Sequence, residues 1–394
     1  MIDLRKISFV LAAAVCIGSL YGCAGSSPQV PTPDAKEFSI EETTEAEEET
    51  ETEEATEPDT EAVKEDIPPA EGMVRSPITN EWVTAERAAE RPLAVMYPTD
   101  KAAQPQYGLD RAEVFYEIME EGSISRQMAI MTDWHDLERI GNLRSIRDYF
   151  IYEALEWDAI IVHFGGPEVF VKEMLTRKDV DNINGVDGVL GPSYGAFYRV
   201  PKGTNNVHKA FTDGNHIDAA IEKAGFDREH RTEYYDTERW RFARESEPVE
   251  LSERSDAVSA VNFDMTGCYP ITKTQLAYNE EDGLYYRSIY GKPQCDAVTG
   301  TQLSFKNVLI ESCTSGSRGG GYLYMHVLDE GHEGYYATGG KMIHVTWGKT
   351  ADYETTRFYN DDGEEIMLNT GRTMVFIART GQDSFKADGA EYHL

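Results

Sequence analysis

The segment LRSIRDYFIYEALEWDAIIVHFGG, residues 143–166, combines the two periodicities of an α/β fold. Its first part, residues 143–157, has apolar residues at helical spacing and predicts an amphipathic α-helix. Its second part, residues 159–164, is a short apolar run that ends at a Gly-Gly turn, which predicts a buried strand. Pro167 then fits the first position of a further helix over residues 168–177. This order predicts a sheet with helices packed on it.

Strands and helices alternate on both sides of this segment, up to about residue 250. The runs 91–96, 113–119 and 126–132 are β-prone, and EEGSIS between the last two predicts a hairpin. A short helix is predicted over residues 217–224, where Gly225 would end it.

The chain changes character beyond residue 250. Runs such as LSFKNVLIESC, GYLYMHVL and TMVFIAR are β-prone, and turn-forming residues separate them. The glycine-rich SGSRGGG, residues 315–321, lies between strands and predicts a hairpin loop. The sequence therefore predicts an α/β (α+β) protein, with a mixed-sheet N-terminal domain and flanking helices at residues 73–250, and a β-rich C-terminal domain at residues 251–394.

Residues 1–23 have the pattern of an export signal. Two basic residues precede an apolar run at residues 7–20, which is shorter than the roughly 20 apolar residues that span a bilayer. The run ends in LYGC, which resembles the lipobox of bacterial lipoproteins. That resemblance implies acylation of Cys23 with lipid chains such as palmitate, the lipid bilayer as a partner, and an extracytoplasmic location. The alternative is a plain secretory signal with a chance cysteine.

Residues 24–72 are strongly acidic, with 17 Asp and Glu against two Lys. Low hydrophobicity and charge repulsion predict a disordered, extended tether between the membrane and the folded part. Of the net charge of −33, the tether carries −15 and the signal +1, which leaves −19 on residues 73–394. Because phosphate backbones require a basic face, this acidity excludes nucleic acid as an expected partner.

Three cysteines follow the tether: Cys268, Cys295 and Cys313. Their spacing matches no metal site, and no metal or cofactor is expected. Since an odd number cannot all pair, one disulfide with one thiol and three thiols are both open.

Two arginines of the opening segment are the strongest site candidates. On a helical wheel Arg147 falls inside the apolar face and Arg144 on its flank, so we expect neither to point into bulk water. A buried guanidinium is costly without an anion beside it. Glu117, on a strand face with other inward residues, is one expected partner, which would make the pair structural. The other hypothesis is an anion-binding cleft, to which Arg126 could contribute.

Two histidines are further candidates. His163 ends the predicted strand before Gly-Gly, and ligands of open α/β sheets gather outside the carboxyl ends of strands. His208 lies in a loop close to Asp213. Each can be structural or functional. A hydrolase acting on cell-wall material could use either as general base, with the arginines stabilising negative charge. A third hypothesis is a scaffold that binds proteins through sheet edges and tyrosines.

Several motifs, taken in order, resemble the YerB-like bacterial lipoproteins. They are RPLAVM, AQPQYGL, AEVFYEIMEEGSISR, IGNLRSIRDYF and DAIIVHFGG, followed by GKPQCDAVTG, KNVLIES and TRFYNDDGEEIMLNTGRTMVFI. The resemblance covers residues 91–379. Arg126, Arg144, Arg147, His163 and His208 match the family pattern, whereas Gln104 and Lys209 depart from it. It implies a lipid-anchored envelope protein with no assigned activity, and it supplies no catalytic residues. From the arginines themselves, we expect a binding protein whose partner is an anionic cell-wall component.

Overall fold

Strands dominate this computed structural model, which describes residues 66–200, 208–235 and 239–394. The expected signal with Cys23, and the tether up to residue 65, lie outside the described residues. Within them, the α-helices are α1 (Ala85–Ala89), α2 (Asp148–Glu156), α3 (Glu168–Leu175) and α4 (Gly214–Ala224). The strands are β1 (Met73–Arg75), β2 (Trp82–Thr84), β3 (Leu93–Pro98), β4 (Val114–Met119), β5 (Ser125–Met131), β6 (Ile140–Gly141), β7 (Ile160–His163), β8 (Asn182–Asn184), β9 (Tyr198–Arg199), β10 (Ala210–Thr212), β11 (Val258–Ser259), β12 (Asn262–Asp264), β13 (Gln275–Asn279), β14 (Leu284–Ile289), β15 (Lys292–Pro293), β16 (Ser304–Phe305), β17 (Asn307–Cys313), β18 (Ser315–Arg318), β19 (Tyr322–Met325), β20 (Asp329–Thr338), β21 (Lys341–Lys349), β22 (Arg357–Tyr359), β23 (Thr373–Arg379), β24 (Ser384–Ala387) and β25 (Ala390–His393).

One large mixed sheet organises the fold. Its strand order is β11-β21-β20-β17-β23-β4-β5-β3-β7-β8, and β22 pairs with β21. Strands β17, β23 and β4 run parallel, as do β3, β7 and β8, while β5 is antiparallel to both β4 and β3. A second sheet has the order β15-β14-β13-β12-β24-β25, with β16 paired to β14. The mixed-sheet α+β architecture predicted from the sequence is therefore confirmed.

The large sheet is covered on both faces. Helices α2 and α3 pack on one face through residues such as Phe150 and Val171. Helix α4 and the second sheet pack on the other face, through residues such as Ile217 and Tyr285. Because both faces are buried, β3, β4 and β5 have buried residues at every position instead of alternating ones.

Several predicted elements are confirmed at nearly their expected bounds. The hairpin expected from EEGSIS is β4–β5, closed by a 3-10 turn at Glu121–Ser123. Strand β7 and helix α3 follow the opening segment as predicted, and α4 ends at Gly225, whose φ is +71°. Every α-helix of the described residues precedes residue 250.

The division into domains near residue 250 stays a prediction about chain organisation. Strands from both sides of residue 250 share the large sheet, because β23 lies between β17 and β4. The three cysteines are free thiols, with Cys268 and Cys313 buried.

The predicted start of the central helix was wrong. Helix α2 begins at Asp148, and the preceding Arg147 has an extended backbone, with φ −123° and ψ 161°. The reason is that backbone groups of residues 143–146 bond to distant segments. Leu143 donates to the carbonyl of Ala210 at 2.9 Å, and Ile146 donates to that of Gly165 at 3.0 Å. The carbonyl of Arg144, which a helix would use for the N–H of Asp148, accepts from Phe164 instead, so the helical wheel did not describe these side chains.

Candidate functional site

Arg147 is neutralised by the turn that joins β4 to β5. Its Nε lies 3.1 and 3.0 Å from the two carboxylate oxygens of Glu121, and its Nη2 lies 2.6 Å from Oε2 of Glu121 and 3.1 Å from Oε2 of Glu120. Its Nη1 donates to the Ser145 hydroxyl and the Ile146 carbonyl. Burial alone would lower the pKa of Arg147, but the bonds to Glu121 raise it above its usual value. This arginine is a structural brace.

Glu117 was the expected partner of Arg147, and this expectation was wrong. Its side chain is fully buried, as its strand face predicted, but that face is the one opposite α2. There it pairs with Arg287 of β14 and accepts hydrogen bonds from Ser125 and Thr274. Alternation along β4 therefore separates Glu117 from the arginines by the thickness of the sheet.

Arg126 lies on the same side of the sheet as Arg147 and shares its partners. Its Nη2 pairs with Glu120, and its Nη1 donates to the carbonyl and the hydroxyl of Ser145, at 3.1 and 3.2 Å. The carboxylates of this brace come from Glu120 and Glu121, which the sequence reasoning missed. The sequence carried a signal for them, because both lie at the start of the tight turn that returns the chain to Arg126.

Arg144 differs from its two neighbours. Its half-buried guanidinium makes no ion pair or hydrogen bond with any residue in the described ranges, and its Nε is buried without a partner. Asp148, four residues further along the chain, pairs with Arg318 and not with Arg144. Burial, followed by the positive charge of Arg126, lowers the pKa of Arg144. The arrangement leaves one positive charge without a direct counter-charge.

The backbone places Arg144 at the carboxyl ends of two parallel strands. Its N–H donates to the carbonyl of Met96 in β3, at 3.1 Å, and its carbonyl accepts from Phe164, just after β7, at 2.9 Å. In the strand register, Arg126 of β5 lies opposite Pro98, the last residue of β3. Arg126 and Arg144 therefore both lie near the end of β3.

His163 is part of the core. Its side chain has no exposed surface, and its ring nitrogens lie 2.9 Å from the Gly165 carbonyl and 3.3 Å from the Asn182 amide oxygen. Burial lowers its pKa, which favours the neutral ring. This geometry gives no support to His163 as a general base. The Gly-Gly turn also has a packing reason, since a Cβ at Gly166 would lie 3.0 Å from Val171.

His208 is also buried, at 2% exposure. Its Nε2 lies 3.9 Å from Asp100, while Asp213, its neighbour in the sequence, caps the start of α4. The backbone carbonyl of His208 accepts a bond from Asn142, two residues before Arg144. His208 and Asp100 therefore flank the Arg144 position, whereas His163 does not contribute to it.

Comparisons with known proteins agree with the sequence resemblance. Residues 78–227 match the N-terminal domain, and residues 265–375 the C-terminal domain, of the family described as "Protein of unknown function (DUF3048)". Residue 250 falls between the two matches.

A protein of Bacillus subtilis (strain 168) named "Putative lipoprotein YerB" is 24% identical over 299 residues, which cover 72% of this chain and 81% of that protein. The crystal structure of the YerB protein from Bacillus subtilis matches with a TM-score of 0.63 at 23% identity, over 77% of this chain and 96% of that one. No helix of the described ranges is long and apolar enough to cross a bilayer. YerB, the relative of this chain, is named as a putative lipoprotein. The chain itself belongs to the DUF3048 family.

Proposed function

We propose that this protein is a lipid-anchored extracytoplasmic binding protein that takes an anionic envelope ligand at Arg144. The observation that carries the proposal is the half-buried guanidinium of Arg144, which has no counter-ion among the described residues. The proposed ligand group is a phosphate or a carboxylate, since a guanidinium binds either of them through two parallel hydrogen bonds.

The charges around Arg144 support an external anion. Glu120 is close enough to act on Arg144, but it already forms ion pairs with both Arg126 and Arg147. Asp100 also acts on Arg144, without forming an ion pair with it. A ligand anion would offset both the burial of Arg144 and its repulsion by Arg126.

The position of Arg144 in the sheet supports the same proposal. In α/β sheets, ligands collect outside the carboxyl ends of parallel strands, and Arg144 bonds to the chain at the ends of β3 and β7. This position supports Arg144 as a ligand contact.

The acidity of the body limits which anions can bind. A net charge of −19 on residues 73–394 repels anions at long range. Salt at 0.1 M reduces the range of this repulsion to about 10 Å. The contact between a ligand anion and a partly buried arginine is screened less. We therefore expect binding of a single phosphate or carboxylate group at physiological salt, and weaker binding in low salt.

Anion binding is tested by calorimetry on the purified protein, with inorganic phosphate, glycerol 3-phosphate and acetate as probes. Arg144→Gln should abolish the binding seen with the wild-type protein. Arg241→Gln is the matched control, because Arg241 is 61% exposed and lies in another ion pair. Equal affinity in wild type and Arg144→Gln would contradict the proposed site.

The anchor has its own test. Cys23→Ala should move the protein from the membrane fraction to the soluble fraction, because acylation would be lost. Cys16→Ala, inside the apolar run of the signal, is the control and should leave the protein on the membrane. A Cys23→Ala protein that stays membrane-bound would rule out anchoring through Cys23 and leave the Arg144 proposal intact.

A further inference from the structure

A groove lies between α2 and the β18–β19 hairpin. Its volume is about 390 Å³. Polar and aromatic side chains form its walls and apolar ones its floor: Asp148, Tyr152, Arg318, Tyr324, Met325 and Val327. Asp148 and Tyr152 are one turn apart on α2 and therefore share a helix face.

A fixed ion pair spans one wall of the groove. Nη2 of Arg318 donates to both oxygens of Asp148, at 2.8 and 2.6 Å, and its Nε donates to the Leu323 carbonyl at 3.2 Å. The guanidinium also lies 4.4 Å from the ring centre of Phe170 on α3 and 5.9 Å from that of Tyr324. These contacts hold its plane in one orientation.

The pair still has hydrogen-bonding capacity for a ligand. Nη1 of Arg318 has no partner among the residues that the structure describes, and each carboxylate oxygen of Asp148 has a spare lone pair. A donor and an acceptor are thus offered side by side. Because the two charges cancel each other, this wall favours a neutral hydroxylated ligand over an ion.

Tyr324 supplies a flat aromatic face, and the glycine-rich segment explains its position. The segment expected as a loop forms strand β18 and a short turn, so Gly316 pairs with Tyr324 across the hairpin. A Cβ at Gly316 would lie 2.5–2.7 Å from atoms of the Tyr324 side chain. Only glycine at this position lets the tyrosine lie across its neighbouring strand.

A second tyrosine completes the groove. The hydroxyls of Tyr152 and Tyr324 have no hydrogen-bond partner in the described part of the chain. Both tyrosines are partly exposed, so their hydroxyls are accessible in the groove as donors and acceptors for a ligand. The groove therefore combines an apolar floor, aromatic faces, and several unused donors and acceptors.

We infer that this groove binds a neutral pyranose ring of a glycan. Such a ring has apolar C–H faces that fit an aromatic surface, and adjacent hydroxyls that act as donor and acceptor together. Arg318 and Asp148 match such a hydroxyl pair, while Tyr324 and the apolar floor match the ring face. This site shares no residue with the Arg144 site, so either can fail without the other.

The inference is tested by saturation-transfer NMR on the purified protein with three neutral trisaccharides: tri-N-acetylchitotriose, cellotriose and maltotriose. At least one should receive magnetisation from the protein at concentrations up to about 10 mM, the range of weak ligand affinities. Tyr324→Ala should weaken that binding by about tenfold or more, because the ring face is lost.

Two other variants address the groove without removing the tyrosine ring at position 324. Gly316→Val should weaken binding by displacing the ring of Tyr324, and Arg318→Lys should weaken it by removing the planar donor group. Tyr359→Ala is the control, because Tyr359 is exposed on β22 and does not line the groove. Circular dichroism checks that each variant is folded.

Each outcome decides the inference. Binding that weakens in Gly316→Val and Arg318→Lys, but not in Tyr359→Ala, supports the groove even where Tyr324→Ala does not fold. No transfer to any of the three trisaccharides would overturn it. Binding that is equal in wild type, Gly316→Val and Arg318→Lys would place the sugar elsewhere and would also overturn it.

Discussion

Two buried charge networks lie on opposite faces of the large sheet, and they differ in charge balance. On one face, one carboxylate, Glu117, meets one guanidinium, Arg287, with hydroxyl donors around them. On the other face, the ammonium of Lys349 lies 3.0 Å from Glu153 and 3.2 Å from Glu156, while Glu311 is buried nearby. Three carboxylates there share one lysine.

The unbalanced network is neutralised by protons. Burial raises the pKa of Glu153 to about 7, and Glu156 adds to the effect while Lys349 opposes it. Burial, followed by the charge of Glu153, also raises the pKa of Glu311 well above its usual value. Excess carboxylates can thus become neutral inside the fold.

Arg144 and Arg147 are three residues apart and show the same contrast between a charge that is balanced and one that is not. Arg147 has its carboxylates, and Arg144 has none among the described residues. A carboxylate in excess can take a proton, but an arginine cannot release one near neutral pH. An excess arginine cannot be neutralised in this way, which is why the site is proposed at Arg144 and not at the more deeply buried pairs.

The largest expected effect is on the balanced network. Arg287→Met should lower the free energy of unfolding by about 3–5 kcal/mol, because Glu117 would remain buried without its counter-charge. Urea denaturation at pH 7 measures this change. Arg241→Met, on the surface, should change stability by less than about 0.5 kcal/mol. A similar small loss in Arg287→Met would show that Glu117 does not depend on Arg287.

The unbalanced network should make the free energy of unfolding depend on pH. The folded protein holds a proton on Glu153 up to about pH 7, whereas the unfolded chain releases it near 4.5. The contribution of Glu153 to the free energy of unfolding is therefore fully present below about pH 4.5. It is lost as the pH rises to about 7, a change of about 3 kcal/mol.

Glu153→Gln replaces the carboxyl that holds this proton with an amide that does not titrate. The free energy of unfolding of this variant, relative to that of wild type, should therefore increase by about 3 kcal/mol from pH 4.5 to pH 7. Denaturant titrations across that range measure the difference. Glu330→Gln, on an exposed side chain, should keep the wild-type profile. A Glu153→Gln profile parallel to wild type would mean that Glu153 does not bind the proton.

Arg147→Met should have an intermediate effect. It leaves Glu121 without a guanidinium partner and Glu120 with Arg126 alone, so we expect a loss of about 2 kcal/mol in unfolding free energy. The brace interpretation predicts that Glu121→Gln weakens the protein in the same direction. Wild-type stability in both variants would remove the brace.

The smallest effect is expected at Arg144. Arg144→Met should change the free energy of unfolding by less than about 0.5 kcal/mol, because no ion pair is lost and a half-buried charge is removed. Thermal and urea unfolding, run beside Arg147→Met, measure the contrast. A loss as large as that of Arg147→Met would make Arg144 structural and would weaken the anion-binding proposal.

Local patterns predicted local structure well. The β4–β5 hairpin, strand β7, and helices α3 and α4 follow from periodicity, turn residues and the glycine at the end of α4. The helix start failed because the carbonyl of Arg144, which a helix from residue 143 would use for the N–H of Asp148, accepts a bond from the distant Phe164. Helical periodicity cannot register such a competitor.

The candidate site was predicted in part. The chain by itself indicated that its arginines needed anions and that Glu117 points inward, since both follow from charge and strand alternation. Which carboxylate meets which arginine was decided only by tertiary structure. Glu117 and Arg287 are 170 residues apart and meet because two sheets stack. Periodicity tells which side of an element is buried, whereas the packing of distant elements decides what covers it and which charge is left over.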